Sequence, residues 1–263
     1  MAPVTALWLT QSSAVLFLLS PQGRAHGFEG GCPAGGLRDG VHLILNKRSA
    51  AVRQAGDLCC PGGGITPKTD RILGALLRLP RSPLTAWPQW TWWHRRRPTQ
   101  ARRLAMLLGT ALREGFEEMR LNPFGVRFLG PLPLERLVVF KKEVYPFVGW
   151  VGRQRCFRPN WEVSDLVYLP LEELLNPGNY ARLHYRFNTA DTQMPKGTAG
   201  EMPCYIHRSG AESDPEVLWG VTFRITIRFL RLIFGFRPPP LTHLPLVVRD
   251  LDDTYVNGNI DRQ

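Results

Sequence analysis

The sequence predicts an α/β fold built around a mixed sheet. Short apolar runs of strand character recur at 13–19, 41–48, 125–130, 134–151 and 165–171. Between them lie segments of helical period, at 71–79, 99–121, 171–177 and 217–236. Gly- and Pro-rich stretches separate the two kinds, and strands interspersed with helices imply α/β. With 263 residues, 44% of them hydrophobic, the chain is long enough to bury one large core. We read 1–263 as a single domain, with a basic insertion and extended helix start over 71–112 and a tail over 237–263.

The first two strands, SAVLFLL and VHLILNKR, flank a Gly-rich connection at 22–40. A second Gly/Pro-rich stretch, RQAGDLCCPGGGITPKTD, follows, and then the short helix RILGALLRL. PRSPLTAWPQWTWWHRRRP (80–98) reads as irregular, aromatic and basic. A long helix over 99–121 ends before Asn122-Pro123, where Pro blocks continuation. Leu104, Leu108, Ala111, Leu112, Phe116 and Met119 form its apolar stripe. In 217–236, Arg224, Arg228 and Arg231 make a basic stripe on an amphipathic helix. The end, LDDTYVNGNIDRQ, reads as a loosely ordered tail.

Charge and cysteine content narrow the function classes. The net charge is +11 and the pI about 10.0, which points to an anionic partner. Residues 71 to 112 hold eight Arg and no Asp, Glu or Lys. The five Cys (32, 59, 60, 156, 204) show no CxxC or Cys/His ligand spacing, so they read as reduced thiols of a cytoplasmic protein. The N-terminal apolar run lacks a charged n-region, so it reads as a buried strand rather than a signal peptide. No run reaches the roughly 18 apolar residues of a membrane span. A membrane and nucleic acid are both disfavoured as partners; a homodimer is compatible with the sequence.

The chemistry concentrates in LREGFEEMRL (112–121). Glu114, Glu117 and Glu118 stand at i, i+3 and i+4 and share one helix face, which a helical wheel places well away from the apolar stripe. Like charges so spaced repel, and in a basic chain their gathering suggests a cation site. Arg113 precedes them, giving RE-x-x-EE, and PGGG lies upstream at 61–64.

This pattern resembles the signature of Nudix hydrolases, G-x5-E-x7-R-E-U-x-E-E-x-G-U, with U bulky and aliphatic. Gly64 to Asp70 matches the first half with Asp for Glu, and Arg113, Glu114, Glu117, Glu118 and Leu121 match the second. The family's seven-residue spacer is 42 residues here, Gly115 stands at a bulky aliphatic position, and Arg120 stands where the family has Gly. LILNKRSAAVRQAGDLCCPGG is similar to the additional motif of coenzyme A diphosphatases. Leu45, Arg48, Ser49, Arg53, Gly56, Pro61, Gly62 and Gly63 fall in order, with one residue missing and Cys60 in place of Phe.

The resemblance implies an α/β/α sandwich and a pyrophosphohydrolase acting on a small nucleotide, with coenzyme A or a thioester leading. ADP-ribose, dinucleoside polyphosphates or a non-catalytic nucleotide- or RNA-binding role are the alternatives. It implies Mg²⁺ or Mn²⁺ held by Glu114, Glu117, Glu118 and a glycine carbonyl such as Gly63. Glu114 is then also catalytic, and Glu162 is a candidate for a further catalytic carboxylate, with Glu143 and Asp165 as alternatives. Arg48 and Arg53 are expected on the anionic end of the substrate. Arg113 holds the Gly-rich loop through an ion pair, with Asp70 as its candidate partner. The Trp/Arg-rich insertion has three readings: a lid, a partner surface, or an excursion that packs its Trp on the body.

Overall fold

The computed structural model describes residues 11–21, 28–29, 32–33, 40–137, 142–188, 199–208 and 214–257. Most of the Gly-rich connection at 22–40 and the last six residues of the tail lie outside them. The fold is mixed α/β, and its contacts divide the chain into two compact units, 1–44 with 60–158 and 45–59 with 159–263.

The first unit is organised by β1 (Ser12–Ser20), whose VLFLL run is buried throughout its length but for Val15. The chain also forms two-residue strands β2 (Phe28–Glu29) and β3 (Cys32–Pro33), paired with each other. The opening residues of β4 (His42–Arg48) run antiparallel to β1, with Leu18 opposite Ile44. The strand pair β5 (Leu58–Cys59) belongs to the other unit. Glycine strand β6 (Gly62–Gly64) also runs antiparallel to β1, placing Ala14 opposite Gly63. Strand β9 (Lys142–Val151) runs parallel to β1 from Ser12–Glu143 to Leu19–Trp150. Its outer neighbours β7 (Val126–Pro131) and β8 (Glu135–Leu137) are antiparallel to it. The sheet is therefore mixed.

Three helices pack in this unit among the described residues. Helix α1 (Pro67–Leu76) begins with Pro in its first turn, where no intrahelical donor is needed. Helix α2 (Trp90–Arg96) lies inside the segment read as irregular. Trp87 and Trp90 are buried, and the Trp87 ring stacks obliquely on Phe128 at 5.1 Å while its indole N–H donates to the Leu129 carbonyl at 3.1 Å. That anchoring supplies the order that its polar, aromatic sequence conceals. Helix α3 (Pro98–Met119) crosses α1 closely: a Cβ added at Gly74 would lie 2.8 Å from the Met106 Cα. Its buried set is wider than one stripe and includes Ala101, Ala105, Leu107 and Thr110, because both β1 and α1 pack on it. Phe116, expected in the stripe, is 45% exposed, whereas Glu118, expected away from it, is buried.

The second unit contains the later part of β4, whose Asn46 and Lys47 pair with Cys59 and Leu58 of β5. Strand β10 (Val163–Pro170) neighbours β4 and leads into helix α4 (Leu171–Leu174). A four-stranded sheet follows, in the order β13-β12-β11-β14. Its strands are β11 (Tyr180–Asn188), β12 (Ala199–His207), β13 (Glu216–Leu218) and β14 (Leu246–Asp252). Ala181, Leu183, Cys204 and Ile206 form its core.

Helix α5 (Gly220–Phe234) buries Phe223, Ile225, Phe229 and Leu230 and turns Arg224, Arg228 and Arg231 outward. The tail is more ordered than its polar sequence suggests, since β14 runs through Asp252 and helix α6 (Asp253–Asn257) follows. Asp57 holds it, accepting from Arg249 Nη1 at 2.7 Å and from the Tyr255 hydroxyl at 2.6 Å. Cys156 is disulfide-bonded, which corrects its reading as a reduced thiol; Cys59, Cys60 and Cys204 are thiols, as read. Among the described residues no helix is long and apolar enough to cross a membrane.

Candidate active site

The last two turns of α3 project Arg113, Glu114, Glu117 and Glu118 beside β6. The helix seats closely here because position 115 has no side chain: a Cβ there would lie 2.9 Å from Leu121 and 3.3 Å from Leu16. Leu121 fills the space that a bulky residue 115 would otherwise occupy. At Gly62 an added Cβ would collide with the Ala14 carbonyl and lie 2.5 Å from Val15 Cα, so only glycine lets this strand lie against β1.

Helix α3 ends on Arg120, whose φ of 55° is left-handed and whose backbone N–H donates to the Phe116 carbonyl at 3.0 Å. Termination therefore precedes Pro123 and uses a conformation that favours glycine. Gln154 reinforces the end by donating to the Arg120 carbonyl and accepting from the Asn122 N–H.

Arg113 is the hub. Its Nε lies 2.8 Å from Asp70 Oδ1, its Nη1 2.9 Å from Glu117 Oε2, and its Nη2 3.0 Å from Glu114 Oε1. Nη2 also donates to the Gly64 carbonyl at 3.1 Å, tying helix to glycine strand. Asp70 is fully buried and accepts from the Thr66 N–H at 2.7 Å and the Thr110 hydroxyl at 2.8 Å. A buried carboxylate is tolerated only with such partners. Thr110 escaped the sequence reading; its signal is a hydroxyl three residues before Arg113, on the face that packs inward. Glu118 Oε2 accepts from the Gly62 N–H at 3.1 Å, and the Glu114 carboxylate rests against Gly63, where an added Cβ would lie 2.5 Å from Glu114 Cδ.

Three carboxylates thus surround one guanidinium, with that of Glu118 on the neighbouring Gly62 N–H, leaving excess negative charge. Burial would lower the Arg113 pKa, but the bond to Asp70 and the charges of Glu114, Asp70 and Glu117 outweigh it and hold it above the ordinary value. Glu114 moves up: burial is the largest cause, Arg113 opposes it, and Glu117 adds to it. A group that holds its proton too tightly beside other acids marks a place short of positive charge. The oxygen-only donors suit a hard divalent cation. Among the described residues, however, no three His, Cys, Asp or Glu side chains converge as a ligand cluster. Arg113 takes oxygens of both Glu114 and Glu117.

The remaining candidates lie elsewhere. Glu143 is engaged within the first unit by the Tyr145 hydroxyl at 2.5 Å and by Arg136 at 3.6 Å. Arg48, Arg53 and Glu162 belong to the second unit. Arg48 Nε donates to the Arg53 carbonyl at 2.7 Å, and the Arg48 backbone closes the loop through Asp57 and Gly56. The Glu162 carbonyl accepts from the Ser49 N–H at 2.9 Å, next to Arg48. The Asp165 carboxylate accepts from the Leu166 N–H at 2.8 Å.

No family model matches the chain. A curated relative, an uncharacterized Nudix hydrolase named NudL from Pectobacterium atrosepticum, is 33% identical over 134 residues. The match covers 50% of this chain, and the chain spans about half the length of that relative. Solved structures give weaker likenesses. A Nudix hydrolase of M. smegmatis, RenU, is 12% identical with a TM-score of 0.35, covering 63% of this chain and 73% of that one. The NUDIX domain of Shewanella oneidensis NrtR, solved with ADP ribose, is 15% identical with a TM-score of 0.38, covering 66% and 80%. Likeness at that level is too slight to assign an activity.

Proposed function

We propose that the chain is a metal-dependent Nudix-type pyrophosphohydrolase that cleaves the diphosphate of coenzyme A or a thioester to 3′,5′-ADP and (acyl-)4′-phosphopantetheine. One observation carries this reading: the excess of carboxylates on the last turns of α3, joined to the glycine strand by Arg113 and Glu118. The 33% identity to a Nudix hydrolase over half of each chain supports the family.

Glu114, Glu117, Glu118 and the Gly63 carbonyl would hold Mg²⁺ or Mn²⁺. Such an ion, when bound, neutralises diphosphate charge and acidifies water. The chain's own groups do the rest. Glu114 is made more basic by burial, which suits it to take a proton from water. Arg113 and Asp70 keep helix and glycine strand in register and are structural. Arg48 and Arg53 are proposed to bind the anionic end of the substrate, since guanidinium forks match phosphate. Glu162 is proposed as the further catalytic carboxylate; the two arginines rest on the motif, and Glu162 on the family's use of a carboxylate from a later loop. Residues 71–112 are proposed as a basic, Trp-rich insertion within the Nudix signature plus the extended start of the catalytic helix.

The test is incubation of the full chain with coenzyme A and Mg²⁺ or Mn²⁺, with 3′,5′-ADP read by chromatography and chelator added in parallel. Chelator-sensitive product supports the proposal. No product from coenzyme A, with turnover of ADP-ribose or a dinucleoside polyphosphate, overturns the substrate. A non-catalytic nucleotide-binding role is the second reading, favoured by the carboxylates that Arg113 already occupies. Silence on every nucleotide would select it.

A further inference from the structure

The eight-Arg segment has an outward face that the proposed chemistry does not use. Helix α1 packs on α3 through Gly74, with Leu73 and Leu77 turned toward the body. On the side facing away, Ile72 is 63% exposed, Leu76 53% and Leu79, in the turn just beyond, 55%. The four-residue spacing puts Ile72 and Leu76 on one face of the helix, and Leu79 follows them in the turn. Exposed Lys68, Arg71 and Arg78 border it. Between Asp57 and Glu114 the sole acidic residue is Asp70, which is wholly buried and paired to Arg113. Trp92 in the same segment is 53% exposed, with the Arg97 guanidinium 5.9 Å from its ring centre.

Three partners fit an exposed apolar stripe in a basic field, and charge and side-chain shape separate them. A second copy of the chain would bring basic face against basic face. A nucleic acid would satisfy the cations, but Ile72, Leu76 and Leu79 are aliphatic and offer no ring for bases to stack on. An anionic bilayer surface satisfies both features: headgroups meet Arg and Lys while the aliphatic stripe enters the headgroup–acyl boundary.

We propose that the outer face of α1 and the turn after it, Ile72, Leu76 and Leu79 flanked by Lys68, Arg71 and Arg78, is a peripheral docking surface for anionic lipid bilayers. This inference is independent of the hydrolase reading, because none of these side chains belongs to the candidate site.

The test is cosedimentation of the full chain with phosphatidylserine–phosphatidylcholine vesicles and with pure phosphatidylcholine vesicles. The variants are the triple Ile72→Ser/Leu76→Ser/Leu79→Ser and the double Arg71→Gln/Arg78→Gln. All positions are exposed, and an unchanged thermal midpoint verifies folding. Wild type is expected to pellet with the anionic vesicles and not the neutral ones, and each variant to lose roughly tenfold or more in partition coefficient. Absence of pelleting with anionic vesicles at low salt overturns the proposal, as does full retention by the triple variant. Binding of a labelled oligoribonucleotide that only the arginine variant loses, without vesicle binding, assigns the face to RNA instead. A dimer in sedimentation velocity that the triple variant dissolves, without vesicle binding, assigns it to a second copy.

Discussion

Replacing Asp70 by Ala removes the one buried carboxylate that joins α1 to α3. The native group accepts from Arg113 Nε, the Thr110 hydroxyl and the Thr66 N–H, all within 2.8 Å. Breaking a buried ion pair by deleting one partner costs about 3–5 kcal/mol, because the surviving charge stays desolvated. Arg113 keeps Glu114 and Glu117, which pulls the cost toward the low end. The Thr110 hydroxyl retains the Met106 carbonyl at 3.2 Å. The Thr66 N–H loses its acceptor, adding about 1 kcal/mol. The expected loss is therefore about 4 kcal/mol, or a fall in midpoint of about 10 °C for a domain of this size. Urea denaturation of wild type and Asp70→Ala measures it. A loss below about 1 kcal/mol would refute the argument that this pair holds helix and glycine strand in register.

Other perturbations separate backbone from charge effects. Gly74→Ala gains about 1 kcal/mol of helix propensity but forces a Cβ within 2.8 Å of Met106 backbone atoms. Overpacking of about 1–3 kcal/mol should win, lowering the urea midpoint. Arg120→Gly relieves a left-handed φ and should raise stability by about 1 kcal/mol, while Arg120→Val should lower it. Glu114→Gln tests the raised pKa. A carboxyl whose folded pKa lies above its unfolded value gives stability fully present below the unfolded pKa and lost as pH rises through the folded one. The variant should therefore gain on wild type as pH rises from acid to neutral, read from urea midpoints at both; equal pH dependence in the two proteins would contradict this.

The α3 carboxylates are legible because like charges at helical spacing have few structural reasons to gather, and Gly64 and Asp70 follow from the motif they resemble. Thr110 was silent, since a hydroxyl in an apolar helix carries no pattern of its own. Phe116 and Glu118 were misassigned because a helical wheel presumes one buried side, whereas α3 is covered by β1 and by α1. Strands β11 and β12 were missed because YARLHYRFN and AGEMPCYIH mix charged and aromatic residues without clean alternation. The ordered tail depends on Asp57, which lies 192 residues before Arg249, a distance no local rule spans. Helix α2 likewise draws its order from the buried Trp87 and Trp90 rather than from propensity.

The most direct test of the account compares metal-dependent release of 3′,5′-ADP from coenzyme A by wild type, Glu117→Gln and Glu118→Gln, each first verified as folded by its thermal midpoint. The account predicts turnover in wild type and its loss in both variants. Wild-type rates in both would contradict it, and the carboxylates of α3 would then be structural partners of Arg113 and Gly62 rather than a metal site.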